Sequence, residues 1–182
     1  MLDYLVLLEK WNKVHNLTAI RDQHQMVSTH LLDSLAVLPH LPEGPLLDVG
    51  TGAGLPGIPL AMVRQDLAVT LLDNSQKRVA FLRQAIADSH LSNVEAVCHK
   101  VETWFPTMRF TCIISRAYAE IARFIESSQH LLAENGIFAA MKGRYPDDEI
   151  KAIPPGFSVR TTIELAVPGL EAERHLILIG RA

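Results

Sequence analysis

Cysteine is nearly absent from this chain. Cys98 and Cys112 are its only two thiols, each inside an apolar, strand-like run, with no C-x-x-C spacing and no ligand cluster nearby. That leaves no basis for a disulfide framework or a thiolate metal site, so two buried free thiols in a reducing cytoplasm are expected, with no metal. An excess of positive charge is also missing, since 17 Lys and Arg against 20 Asp and Glu give a net charge of -3. A nucleic-acid partner would have to be met by a local basic patch and not by the field of the whole protein. Long apolar runs are missing too: the opening MLDYLVLLEKW carries Asp3 and only Leu5 to Leu8 uninterrupted before Glu9, which is neither a signal peptide nor a membrane span. Nothing repeats, and no segment is low in complexity.

What is present is a 182-residue chain of 48% hydrophobic content, enough for one globular domain over 1–182. Residues 1–44 read as a helical cap and 45–182 as an α/β core. In the cap, Leu2, Leu5, Val6, Leu8 and Trp11 follow helical spacing, and a second helix is expected over Gln23 to Leu38, ended by Pro39 and Pro42. After Pro45 short strands and helices alternate, as in a parallel α/β sheet. Strands are expected at Leu46 to Val49, Val69 to Leu72, Val94 to Cys98, Phe110 to Ser115 and Ile137 to Lys142. Helices fall at Pro56 to Val63, Lys77 to Ala87 and Ile121 to Leu132. The tail breaks the alternation: Phe157 to Glu164 and His175 to Ile179 suit an antiparallel pair at the edge of the sheet.

The segment LLDVGTGAGLPG, residues 46–57, follows the first of these strands. A strand that ends in Gly-x-Gly-x-Gly and turns into a helix brings bare backbone against a ligand. GAGLPG fits the pyrophosphate loop of a dinucleotide enzyme, and DVGTGAG fits the loop that seats S-adenosylmethionine; Asp73, at the end of the second strand, suits the ribose of either. Three features favour the methyltransferase. Asp48 places a negative charge where an ammonium, and not a pyrophosphate, is welcome. The chain has no room for a separate substrate domain, and the antiparallel tail closes a seven-stranded methyltransferase sheet. A nicotinamide-dependent oxidoreductase and a non-catalytic nucleotide- or ribosome-binding module stay open as alternatives.

Seven blocks, WNKVHNLTAIRD, HLLDSL, LLDVGTGAGLPGIPLAMV, LLDNSQKRVAFLRQ, ISRAYA, MKGRYPDDEI and PGLEAERHLILI, run in one order along nearly the whole chain. Together they resemble the RsmG (GidB) family of bacterial 16S rRNA guanine-N7 methyltransferases. That resemblance implies a class I S-adenosylmethionine-dependent fold: Rossmann-like, with a mostly parallel seven-stranded sheet, a C-terminal antiparallel pair and an N-terminal helical cap. The family usually carries a further helical segment before the WNK block, so part of the cap is expected to be missing here. The resemblance places Gly50 and Leu55 on the cofactor, with Gly52 between them, Val101 and Glu102 beside its adenine, and Arg116 in the cofactor site. Asp48 and Asp73 join them on the argument above.

The chemistry fits what the chain lacks. Its fourth strand ends in Ser115-Arg116-Ala117-Tyr118, without the Asp/Asn-Pro-Pro-Tyr of amino-methylating enzymes, and neither cysteine follows a proline as in cytosine-C5 enzymes. Ring-nitrogen or ribose methylation remains, and the resemblance selects guanine N7, whose in-plane lone pair attacks without prior deprotonation. Arg116, Lys142 and His30 are therefore expected to position substrate, with no general base. His30 and Asp33 share a helix face; Asn16, in the WNKVHNLT block, Arg144 and Arg174 are expected to meet RNA. Lys77 is expected near the cofactor pocket, Arg83 in solvent, and Tyr118 packed against the sheet. Arg21, Lys100, Arg116, Lys142, Arg144 and Arg174 are candidates for a basic rim. The expected partner is 16S rRNA in a folded or small-subunit context, with no membrane and no obligate protein partner.

Overall fold

The computed structural model describes residues 1–182. Seven strands form one sheet: β1 (Leu46–Val49), β2 (Val69–Asp73), β3 (Val94–Cys98), β4 (Phe110–Arg116), β5 (Leu132–Lys142), β6 (Phe157–Glu164) and β7 (His175–Arg181). Their order is β3-β2-β1-β4-β5-β7-β6. The first five are parallel, and β7 lies antiparallel between β5 and β6. The direction of strand order reverses between β1 and β4, and that reversal opens a crevice at the carboxyl edge where ligands of such sheets bind. β1 and β2 are buried at every position, as their near-continuous apolar runs require of strands covered on both faces.

The cap begins with α1 (Leu2–His15), four residues longer than its sequence pattern indicates. It stops where Asn16 turns left-handed at φ 48° and its N–H bonds back to the Asn12 carbonyl, a conformation asparagine tolerates better than most residues. The expected single helix over Gln23 to Leu38 is divided: α2 (Gln23–Met26), a π-helical turn (Val27–Leu32), and α3 (Asp33–Leu35). The Ser28 and Thr29 hydroxyls both donate to the Gln25 carbonyl, at 3.2 and 2.6 Å, competing with the backbone for that acceptor. In the core, α4 (Gly57–Val63) and α5 (Gln76–Asp88) follow β1 and β2, and Ser75 caps α5.

The helix expected over Ile121 to Leu132 ends earlier, as α6 (Ile121–Ser128). Ser127 and Ser128 turn their hydroxyls onto the Phe124 carbonyl, and a 3-10 turn then leads into β5 at Leu132, five residues before the expected start. The extension pairs Leu132 with Phe110 before a register shift. A short α7 (Asp147–Lys151), absent from the sequence reading, lies between β5 and β6. No helix is long and apolar enough to cross a membrane.

Candidate active site

At the carboxyl edge of β1, β2 and β3 lies a cavity of about 980 Å³, the size of a small-molecule site. Its walls include Val49, Gly50, Asp73, Arg78, Val101 and Glu102, with Ala117 to Glu120 on the β4 side. Gly50 turns at φ +66° while its N–H reaches the Leu72 carbonyl at 2.9 Å. A Cβ there would run into the Tyr118 ring, so this residue must be glycine both for its conformation and for the space above it. Asp73 is buried, and its carboxylate accepts from Gly52 N–H at 3.1 Å, Ser75 N–H at 2.9 Å and the Arg78 guanidinium at 3.3 Å. It thereby ties the glycine loop to the start of α5.

Asp48 sits beneath the loop, fully buried and outside the cavity wall. Its Oδ2 accepts from the Thr51 hydroxyl at 2.7 Å and from Gly57 N–H at 2.9 Å, bracing both ends of the loop. This arrangement decides against a pyrophosphate. At the start of α4, Pro56 and Pro59 have no N–H, Gly57 N–H is held by a carboxylate, and Ile58 and Leu60 N–H bond to Gly54 and Pro56 carbonyls. No amide is left for the phosphates that a dinucleotide would bring to a helix N-terminus.

Burial pushes the Asp48 carboxyl up from 3.8 to about 6, opposed by the Thr51 and Gly57 hydrogen bonds and by the Arg116 charge. The folded state therefore binds this proton more tightly than the unfolded chain, and its contribution to stability falls as pH rises through that interval. Asp48→Asn is expected to flatten the dependence of melting temperature on pH between about 4 and 6 relative to wild type. Parallel curves for the two proteins would show that no displaced proton resides there.

On the other side of β1, the register Asp48↔Ile114, carried two residues on, sets Arg116 level with Gly50. Arg116 does not line the cavity; its side chain turns toward the cap, where Nη1 donates to Asp33 Oδ2 at 3.0 Å and to the Thr29 carbonyl at 2.9 Å. Asp33 Oδ1 accepts from Arg174 Nε at 2.9 Å. His30 lies in the same layer, its Nε2 2.8 Å from the Thr18 hydroxyl, and burial lowers its pKa, favouring the uncharged ring. Lys142 donates to the Ala119 carbonyl at 3.1 Å and to Glu149 Oε2 at 2.6 Å, and Glu149 also accepts from Ile121 N–H. That bridge pins the loop over residues 117–120 from α7.

The expected residues thus fall into groups. Gly50, Asp73, Val101 and Glu102 come together on one cavity, and Gly52 is bound to it through Asp73. Leu55 is buried in the apolar core beside Ala53 and Ile58. Arg116, His30 and Arg174 cluster around the cap, while Asn16 ends α1 on the surface and Arg144 is exposed. Arg78, and not Lys77, faces the cavity, because a helix starting at Gln76 turns residue 78 toward Asp73. Tyr118 packs over Gly50 and edge-on to Phe124 at 6.4 Å between ring centroids. Sequence reasoning missed Tyr4, whose hydroxyl donates to the Ala53 carbonyl at 2.6 Å, and Glu149.

Comparison with known proteins agrees with this geometry. The family model described as rRNA small subunit methyltransferase G matches residues 1–177. The chain belongs to the rRNA small subunit methyltransferase G family. Among its relatives in that family, the Methylobacillus flagellatus protein is 52% identical over 98% of this chain and 86% of its own length. The Chromobacterium violaceum protein is 50% identical over 96% of this chain and 84% of its own length. Similarity of fold alone extends further. An S-adenosylmethionine-dependent methyltransferase from Geobacter sulfurreducens, solved with S-adenosylhomocysteine, superimposes with a TM-score of 0.65 at 12% identity, covering 97% of this chain and 98% of that one. One from Aquifex aeolicus gives 0.63 at 20% identity, covering 85% and 92%.

Membership of the rRNA small subunit methyltransferase G family makes the chain an S-adenosylmethionine-dependent methyltransferase. The cavity fits that cofactor: bare backbone at Gly50, a buried acid at Asp73, and an apolar wall at Val101. A carboxylate has about four lone-pair sites, and the longest of the bonds to Asp73, from the flexible Arg78 side chain, is the one a ribose hydroxyl can replace.

Proposed function

We propose that this protein transfers the methyl group of S-adenosylmethionine to N7 of a guanine in 16S rRNA, presented in a folded or small-subunit context. The observation that carries the chemistry is that no buried carboxylate around Gly50 is both free and facing the cavity. Asp33, Asp73 and the half-buried Glu149 each accept two or more hydrogen bonds, and Asp48, whose Oδ1 has no partner, is sealed beneath the glycine loop outside the cavity wall. No buried acid is left to act as general base, and N7 needs none, because its lone pair carries no proton. When bound, S-adenosylmethionine supplies an electrophilic methyl: the N7–C bond forms, the C–S bond breaks, and the bonding pair stays on sulfur. The chain's own residues hold the two partners in line, Gly50 and Asp73 seating one and the β4 and β7 ends receiving the other.

The RNA context rests on charge. A protein of net charge -3, with the Arg116, Lys142 and Arg174 heads offset by acids, meets RNA only through a local set of basic groups such as Arg21, Lys100 and Arg144 and has no general field to hold an unstructured strand. Shape must therefore present the base. The test incubates the protein with tritiated S-adenosylmethionine and either unmethylated small subunits or short unstructured RNA, and maps N7-methylguanine by borohydride and aniline cleavage. Label at one guanine in the subunits, with little in the short RNA, is the expected result. Equal labelling of both would overturn the shape requirement, and label off N7 would overturn the reaction.

A further inference from the structure

Adenine and guanine both carry a nucleophilic N7 on the same edge, flanked by an amino donor in adenine and by the O6 acceptor in guanine. An enzyme that methylates N7 must tell them apart without occupying the lone pair that attacks. Building on the guanine-N7 reading, we propose that Asp33 is a positioning residue that locks Arg116 and Arg174 into a donor site for guanine O6.

The three residues come from the cap, from β4 and from the segment that leads into β7 beside β5, yet one buried carboxylate joins them. Asp33 is 2% exposed and gives one oxygen to each guanidinium, while the Arg116 and Arg174 side chains remain 20% and 24% exposed. Arg116 spends only Nη1 on Asp33 and the Thr29 carbonyl, and Arg174 spends Nε on Asp33 and Nη1 on the Glu173 carbonyl. The remaining N–H groups, Nη2 of both and Nε of Arg116, have no partner within the chain. They are all donors, so they welcome a carbonyl oxygen and repel an amino group.

Their place matches the reaction. Arg116 is level with Gly50 by strand register, and Lys142↔His175 pairing puts Arg174 beside Gly143, one step further along the same carboxyl edge. The Asp33 charge has a second effect. Methylation makes the purine cationic, and one carboxylate shared by two guanidiniums reduces their combined charge to a single positive one. The site then opposes the charge that develops on the ring less than two unpaired guanidiniums would.

The test uses small subunits reassembled on 16S rRNA carrying guanine or 2-aminopurine, which keeps N7 and lacks O6, at the target position. Rates are read under single-turnover conditions with wild type, Asp33→Asn and Asp33→Glu. Wild type is expected to prefer guanine by about 100-fold, the order of a specific base contact. The preference should shrink below about 10-fold in Asp33→Asn and largely return in Asp33→Glu. S-adenosylhomocysteine affinity and melting temperature, measured on each variant, establish that the fold and cofactor seat survive. If Asp33→Asn does not fold, Arg174→Lys, which keeps the charge and loses the fork, carries the same comparison. An undiminished preference in the variant, or none in wild type, overturns the proposal. Failure of wild type to methylate the guanine subunits would instead overturn the reaction itself.

Discussion

Asp73→Ala is expected to weaken S-adenosylhomocysteine binding by about 100-fold, read by titration calorimetry, with the sheet intact. Truncation leaves Gly52 N–H without its acceptor and frees Arg78 from its anchor, and each buried donor left unpaired costs about 1–3 kcal/mol. The loss falls on the cofactor because the glycine loop and the proposed ribose seat share the same carboxylate. About 3 kcal/mol corresponds to two orders of magnitude in affinity. Asp73→Asn, which keeps an oxygen acceptor, should lose less. A change below about threefold in Asp73→Ala would remove Asp73 from the cofactor site.

Gly50→Ala is expected to reduce cofactor binding to a similar degree or further, for a different reason. At φ +66° an alanine costs about 1–2 kcal/mol of backbone strain, and its methyl meets the Tyr118 ring, adding about 1–3 kcal/mol of overpacking. The added methyl also stands where bare backbone faces the cavity. Adding Tyr118→Ala should relieve the collision and recover melting temperature, while cofactor affinity stays low. Recovery of full affinity in the double variant would show that the tyrosine clash, and not the loop backbone, is what the glycine avoids.

Much of this architecture was legible in the sequence, because period and punctuation carry it. Most of the first five strands lie in short apolar runs with turn residues beside them, and the antiparallel tail was visible in the alternation of Phe157 to Glu164 and the apolar run after His175. Where the reading failed, contacts between distant residues decided the outcome. The break at Val27 depends on hydroxyls turning back onto Gln25, which helical spacing does not register. The early end of α6 depends on Ser127 and Ser128 closing onto Phe124, and the early start of β5 on Phe110 offering Leu132 a partner.

The site shows the same division. Gly50 and Asp73 were legible because a glycine turn and a strand-end acid are local signals. Asp48 is expected from sequence to face the ligand's ammonium, but the structure sets it beneath the loop on Thr51 and Gly57, partners that show only once the loop has closed over it. Glu149 acts on a backbone N–H 28 residues away and Tyr4 on a carbonyl 49 residues away, distances at which nothing in the sequence links the pair. Lys77 and Arg78 differ by 100° around a helix, so the choice between them depended on where α5 begins.

The strand order has a consequence for how the protein is made. β3, β2 and β1 are neighbours in both sequence and sheet, so a chain leaving the ribosome can pair these three strands while later ones are still unsynthesised. The far side of β1 then stays an open edge until residues 110–116 emerge to cover it. Nascent chains thus pass through an interval with a paired half-sheet, an uncovered hydrogen-bonding edge beside the glycine loop, and a cavity still open on the side that Ala117 to Glu120 later close.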